Sequence, residues 1–162
     1  MGADALSDVL RTVRLTGAVF FDVTAEAPWV AEQPGREYVL PRVLPGAGHL
    51  ISYHVVTEGR CFVTPIGGEP MLVEAGEVIV FTNGDAHVLS SSPGMRADPF
   101  DPTRLDGISA SRLPFLVNYG AGGPVVKLVC GFLACDARPF NPLLENLPPV
   151  IRARDPGGEI GW

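Results

Sequence analysis

The sequence predicts an all-β domain, folded as an antiparallel barrel or sandwich. Three observations carry that prediction. Short segments rich in Val, Phe and Ile recur between residues 15 and 135. Gly, Pro, Asn and Asp separate them at nearly every step. The corners between them are too short for the helical crossovers that parallel strands require, so the expected sheet is antiparallel. With 162 residues, 19 Gly and 16 Pro, the chain has the length of one domain and the turn content of many short strands.

Taken in order, the elements begin with a short helix. Leu6, Val9, Leu10 and Val13 recur at helical spacing and Asp4 is available as an N-cap, which predicts an amphipathic helix over 5–13. Strands are then expected at LTGAVFFDV (15–23), REYVLPRV (36–43), HLISYHVV (49–56), RCFVTPI (60–66) and PMLVE (70–74). They continue at EVIVFT (77–82), AHVLSS (86–91), PFLVNYG (114–120) and PVVKLVCGFLAC (124–135). The corners EG (58–59), GGEP (67–70), NGD (83–85) and GAGG (120–123) read as hairpin connections. Residues 91–109 carry three Pro, two Gly and no periodicity, the pattern of a surface excursion that can cover a site, with partial disorder the favoured expectation. NPLLENL (141–147) predicts a second short helix from an Asn cap with Pro at its first position, and residues 151–162 read as an exit linker.

Charge and composition exclude several function classes. Twelve Lys and Arg stand against 18 Asp and Glu, a net charge of −6, so the chain has no field to attract a phosphate backbone or anionic lipid and direct nucleic-acid contact is not expected. No apolar run approaches the length of a membrane span and the acidic start is unlike a signal peptide, which gives a cytoplasmic expectation. Three cysteines, Cys61, Cys130 and Cys135, cannot all pair, so free thiols or metal ligands are expected instead of a disulfide framework.

The stretch GEVIVFTNGDAHVL (76–89) is the most informative in the chain. Gly76, five residues, Thr82, one residue, Gly84, two residues and His87 resemble the second cupin motif, G-x5-P-x-G-x2-H, with Thr in place of Pro. YHVVTEGR (53–60) resembles the end of the first cupin motif. The two histidines and glutamate that precede it in enzymatic cupins fall in PGAGHLIS (45–52), where only His49 is of ligand type. The usual cupin metal site therefore cannot be assembled. Four ordered blocks, DALSDVLRTVRLTGAVFF (4–21), YHVVTEGRCFV (53–63), AGEVIVFTNGDAHVL (75–89) and VCGFLACDARPFNPLLENLPPVI (129–151), resemble the N-terminal cupin domain of AraC-type transcriptional regulators. That resemblance implies a double-stranded β-helix, or jelly-roll barrel, with short N- and C-terminal helices. It also implies a regulatory, effector-sensing domain over 1–150, followed in the family by two helix-turn-helix units that contact DNA.

Strand alternation turns His54, Cys61 and Cys130 toward the interior, since Lys127 belongs outside and Cys130 lies on the other face of its strand, and the resemblance implies that His87, at the cupin metal-ligand position, faces inward too. Two imidazoles and two thiols are a tetrahedral donor set for Zn²⁺, which with four protein ligands is structural or sensory. The competing reading makes the thiols small apolar core residues and has the imidazoles hydrogen-bond each other or a backbone carbonyl. His49 reads as a polar strand-start residue, and Glu58, Asp85 and Asp106 as turn formers. No GxSxG, HExxH or phosphate-cradling loop occurs, and no catalytic residue is assigned. Two function classes follow: a sensing domain for an unidentified small-molecule effector, or a small stand-alone metal-dependent cupin enzyme using His54 and His87. Leu143, Leu144 and Leu147 need a covering surface, either the barrel or a second copy in a homodimer.

Overall fold

The computed structural model describes residues 15–98, 101–108, 113–136 and 146–154. The helix expected over 5–13 and most of that near 142–147 lie outside the described residues. Ten strands are described: β1 (Leu15–Glu26), β2 (Val30–Gln33), β3 (His49–Glu58), β4 (Arg60–Pro65), β5 (Met71–Glu74), β6 (Glu77–Phe81), β7 (His87–Ser90), β8 (Phe115–Tyr119), β9 (Val125–Cys135) and β10 (Val150–Arg154). They form a six-stranded sheet, β10-β6-β3-β9-β1-β8, and a four-stranded sheet, β2-β7-β4-β5. The two sheets pack on each other, as an all-β fold of the cupin type requires.

The period-2 pattern explains what faces inward. On β3, Leu50, Ser52, His54 and Val56 are buried; on β9, Val126, Leu128, Cys130, Phe132 and Ala134; on β6, Glu77, Ile79 and Phe81. Of these, Val56, Ile79, Phe81, Val126, Leu128 and Cys130 meet Cys61, Val63, Val73 and Leu89 of the other sheet in one core cluster. A second cluster, with Val19, Leu50 and Phe132, lies under the helix α1 (Arg36–Val43) and the 3-10 helix Pro102–Leu105.

Helix α1 replaces the strand expected at REYVLPRV. Tyr and Val content argue for a strand locally and Pro41 against a helix interior, yet Val39 and Val43 are the buried residues, at i and i+4. Burying both against Leu50 and Val19 outweighs the backbone hydrogen bond that Pro41 cannot donate. Two further strands went unread. VAEQ (30–33) shows no alternation in burial, and Val150–Arg154 sits behind two prolines in what reads as linker; it pairs with β6 in register Ile151↔Val80.

Three of the four corners are not hairpins. GGEP joins the paired strands β4 and β5, whereas EG and NGD carry the chain from one sheet to the other and GAGG carries β8 across β1 to β9. A short corner brings strand ends together but leaves open whether their hydrogen-bonding edges meet. One pair, β1 and β8, is parallel, in register Phe21↔Phe115 through Ala25↔Tyr119. The chain reaches β8 only after traversing β2 to β7, so no helical crossover is needed.

Candidate functional site

The site is built where β6 passes to β7. Phe81 ends β6, and the turn that follows holds Gly84 at φ +62, a left-handed conformation that glycine adopts without strain. A Cβ there would stand 3.0 Å from Leu50 Cβ and 3.1 Å from the Leu50 carbonyl, so the position has no room for a side chain. The Gly84 carbonyl accepts from Arg36 N–H at 2.9 Å, which docks the start of α1 on this turn. His87 then opens β7, fully buried, opposite Gln33 on β2 and Pro65 on β4.

Three contacts fix the His87 ring. It stacks on Phe81 with centroids 3.7 Å apart and planes 4° apart. Its Nδ1 lies 2.8 Å from the Asp85 carbonyl, and its Nε2 lies 2.6 Å from Nε2 of His54. His54 comes from the middle of β3, between Cys130 on β9 and Ile79 on β6. Burial pushes His87 down to about 4, against the smaller opposing effect of its bond to the Asp85 carbonyl. Burial, then the neighbouring His87, takes His54 well below the ordinary imidazole range. Both rings are therefore neutral at physiological pH.

All four expected ligands are buried. Among the described residues no group of three or more His, Cys, Asp or Glu side chains is placed to hold a metal ion. Nitrogens about 2.1 Å from a tetrahedral zinc stand roughly 3.4 Å apart. The two Nε2 atoms stand 2.6 Å apart, a hydrogen-bond distance. Burial also pushes the Cys61 thiol up to about 12 and raises that of Cys130, with Cys61 as the second cause, so both remain neutral thiols. Cys61 packs in the hydrophobic core.

His49 faces Thr82, the residue in the motif's proline position, with Nε2 2.6 Å from the Thr82 carbonyl. Glu58 pairs with Lys127 at 2.7 Å, and Asp106 approaches Arg42 at 3.8 Å. The Asp85 contribution to the site is its backbone carbonyl.

Beside the histidine pair lies a cavity of about 210 Å³. That is room for several waters or one small organic molecule. His54 and Cys130 line it together with Trp29, Tyr119 and Leu128, and Leu105 covers it from the 3-10 helix. Trp29 and Tyr119 stack with centroids 6.0 Å apart. Glu32, the carboxylate on the lining, is held by the Arg96 guanidinium and the Ala97 N–H, which ties the 91–98 segment to β2. Of the described part of the 91–109 excursion, Arg104, Leu105 and Ile108 line the cavity. Its 3-10 turn had a sequence signal: Asp101 before Pro102, whose carboxylate accepts from Thr103 N–H at 2.9 Å. Trp29, Tyr119 and Leu105 had none, because each reaches the cavity through pairing or packing between distant segments.

Two packed sheets with a histidine at the end of the glycine motif and a cavity beside it define a small ligand-sized barrel of the cupin class. The chain belongs to the cupin family, whose model matches residues 4–162. Among solved structures, the protein YhaK from Escherichia coli resembles it at 12% identity and a TM-score of 0.43, over 95% of this chain and 56% of that one. The chain thus spans little more than half the length of YhaK. No curated protein matched the chain.

Proposed function

We propose that this chain is the effector-sensing cupin domain of an AraC-type transcriptional regulator. In this reading a small molecule occupies the cavity beside His54, and helix-turn-helix units elsewhere in a longer product read DNA. The observation that carries the reading is the cavity, with its mostly aromatic and aliphatic walls, the neutral His54 imidazole, the Arg104 guanidinium and a 3-10 turn at its edge. Its carboxylate, Glu32, is committed to Arg96, which makes it a poor proton-transfer partner for His54. The four sequence blocks from residue 4 to residue 151 and the net charge of −6 point the same way, toward a domain that regulates DNA binding without touching DNA.

The test compares the chain with the full-length gene product. The chain alone is expected to show no measurable affinity for duplex DNA at physiological salt. The full-length product is expected to carry two helix-turn-helix units and to bind a promoter in an effector-dependent way. An open reading frame that stops after Trp162, with turnover of a small substrate that depends on bound metal, would overturn this reading in favour of a stand-alone cupin enzyme.

A further inference from the structure

The cavity beside His54 carries two charged side chains on its lining, Glu32 and Arg104. Glu32 is already neutralised. Arg96 Nη2 donates to its Oε2 at 3.1 Å, Arg96 Nε and the Ala97 N–H donate to its Oε1, and the Arg96 hydrogen bond, the leading cause, holds the carboxyl below its usual range. Arg104 has no such counterpart: among the described residues its guanidinium enters no ion pair. The acids on either side of it in the chain are engaged elsewhere. Asp101 turns its carboxylate onto the Thr103 N–H at 2.9 Å, Asp106 approaches Arg42 at 3.8 Å, and neither lines the cavity.

Arg104 is held at the cavity by its neighbour. Leu105, 5% exposed, packs with Val39 and Val43 in the core under α1 and lines the cavity as Arg104 does. The charge of Arg104 is felt at Tyr119: burial, then the Cys130 thiol, pushes the Tyr119 hydroxyl up, and Arg104 opposes them. The other polar side chains on the lining, Gln33, His54, Tyr119 and Cys130, are uncharged at neutral pH. With Glu32 and Arg96 cancelling, the site keeps one positive charge. Its apolar walls include Phe21, Trp29, Leu128 and Phe132. A ligand that leaves water for these walls needs an apolar, ring-like body, and the guanidinium fork complements one planar carboxylate. A dianion such as a phosphate ester would bring a second charge for which the lining has no cation.

We infer that the cavity takes a small monocarboxylate with an aromatic body, its carboxylate paired with the Arg104 guanidinium and its ring enclosed by Trp29, Tyr119 and Leu128. This inference rests on the reading of the cavity as an effector site and names the chemistry of the effector.

The test titrates the 162-residue chain by calorimetry with benzoate, benzamide and acetate. Benzamide keeps the ring and removes the charge; acetate keeps the charge and removes the ring. Benzoate is expected to bind about tenfold or more tighter than either, through one charge-assisted contact that benzamide lacks and one buried ring that acetate lacks. Its affinity should fall as salt rises, since Arg104 is exposed at the cavity's edge, whereas that of benzamide should not. Arg104→Gln is expected to bring benzoate down to the level of benzamide and to leave benzamide unchanged; the position is exposed, so the fold tolerates the change. Equal binding of benzoate and benzamide would overturn the carboxylate assignment while leaving the cavity an effector site. Acetate as tight as benzoate would remove the enclosed ring and reduce Arg104 to a surface anion contact. Binding of none of the three would sink the inference outright, while the sensing reading stands or falls separately on the DNA-binding comparison.

Discussion

His87 has no solvent exposure, and its stack on Phe81 leaves no space for water to solvate an imidazolium. A proton that the folded ring accepts only near pH 4 is accepted by the unfolded chain near 6.5. Between those values the unfolded state binds more protons, so stability is fullest above 6.5 and falls as pH drops toward 4. At about 1.4 kcal/mol per pH unit the loss is about 3 kcal/mol, and His54 acts in the same direction. Denaturant midpoints at pH 7, 5.5 and 4.5 should show this slope, and His87→Gln should flatten it; an unchanged slope in the variant would assign the effect elsewhere. The same hydrogen-bonded pair bears on metal content. Elemental analysis of protein never exposed to chelator is expected to find no stoichiometric zinc, because a tetrahedral site would first have to break the His54–His87 contact. One zinc per chain that Cys130→Ser releases would restore His54, Cys61, His87 and Cys130 as a ligand set.

Strand β10 shows how one buried charge can hold a sheet edge. Glu77, at the start of β6, is 4% exposed and accepts from Arg152 of β10 at 2.8 Å on each carboxylate oxygen. Arg152 Nε adds a bond at 3.1 Å and the Glu74 N–H a fourth at 2.8 Å, and the Arg152 guanidinium, the leading cause, holds the carboxyl below its usual range. A bidentate guanidinium–carboxylate contact is directional and charge-assisted, so it fixes register as well as adding stability. Arg152→Ala is expected to cost about 1–3 kcal/mol, since Glu77 stays buried with Arg154 and the Glu74 amide as its remaining partners. Hydrogen exchange should speed up at the β10 amides and much less in β3 or β9. Uniform loss of protection across the sheet would mean that Glu77 and Arg152 act on the core and not on the edge.

Along the chain, β1 to β8 pass back and forth between the two sheets, and β9 and β10 stay with the larger one. β1, β3, β6, β8, β9 and β10 belong to one sheet and β2, β4, β5 and β7 to the other. The corners EG and NGD lead directly from one sheet into the other, which couples the formation of the two. Their shared core joins Ile79, Phe81 and Leu128 of one sheet to Val63, Val73 and Leu89 of the other. Unfolding is therefore expected to be a single cooperative transition, with far-ultraviolet dichroism and tryptophan fluorescence sharing one midpoint. Refolding is expected to be slow for the length, since most pairings are distant in sequence. Separate midpoints for the two probes would show that the sheets unfold independently.

The strands and their inward faces could be read from the sequence because alternation is a local property. His54, Cys61 and Cys130 are buried, as the spacing within β3, β4 and β9 requires, and His87 is buried on β7, where all four residues are buried and alternation decides nothing. The cupin motif likewise placed His87 after a left-handed glycine turn that the chain does form. What alternation cannot supply is the distance between inward residues on different strands, which depends on pairing and on how the sheets pack. Two imidazoles therefore meet as a hydrogen-bonded pair, and the thiol of Cys61 falls into the hydrocarbon core, although their spacings alone were equally consistent with a four-ligand site. REYVLPRV is the same lesson within one segment: its propensities favour a strand, and burial of Val39 and Val43 under a neighbouring element makes it a helix. The cavity walls, drawn from segments as far apart as Trp29, Tyr119 and Leu128, exist only once non-local pairing has brought them to one place.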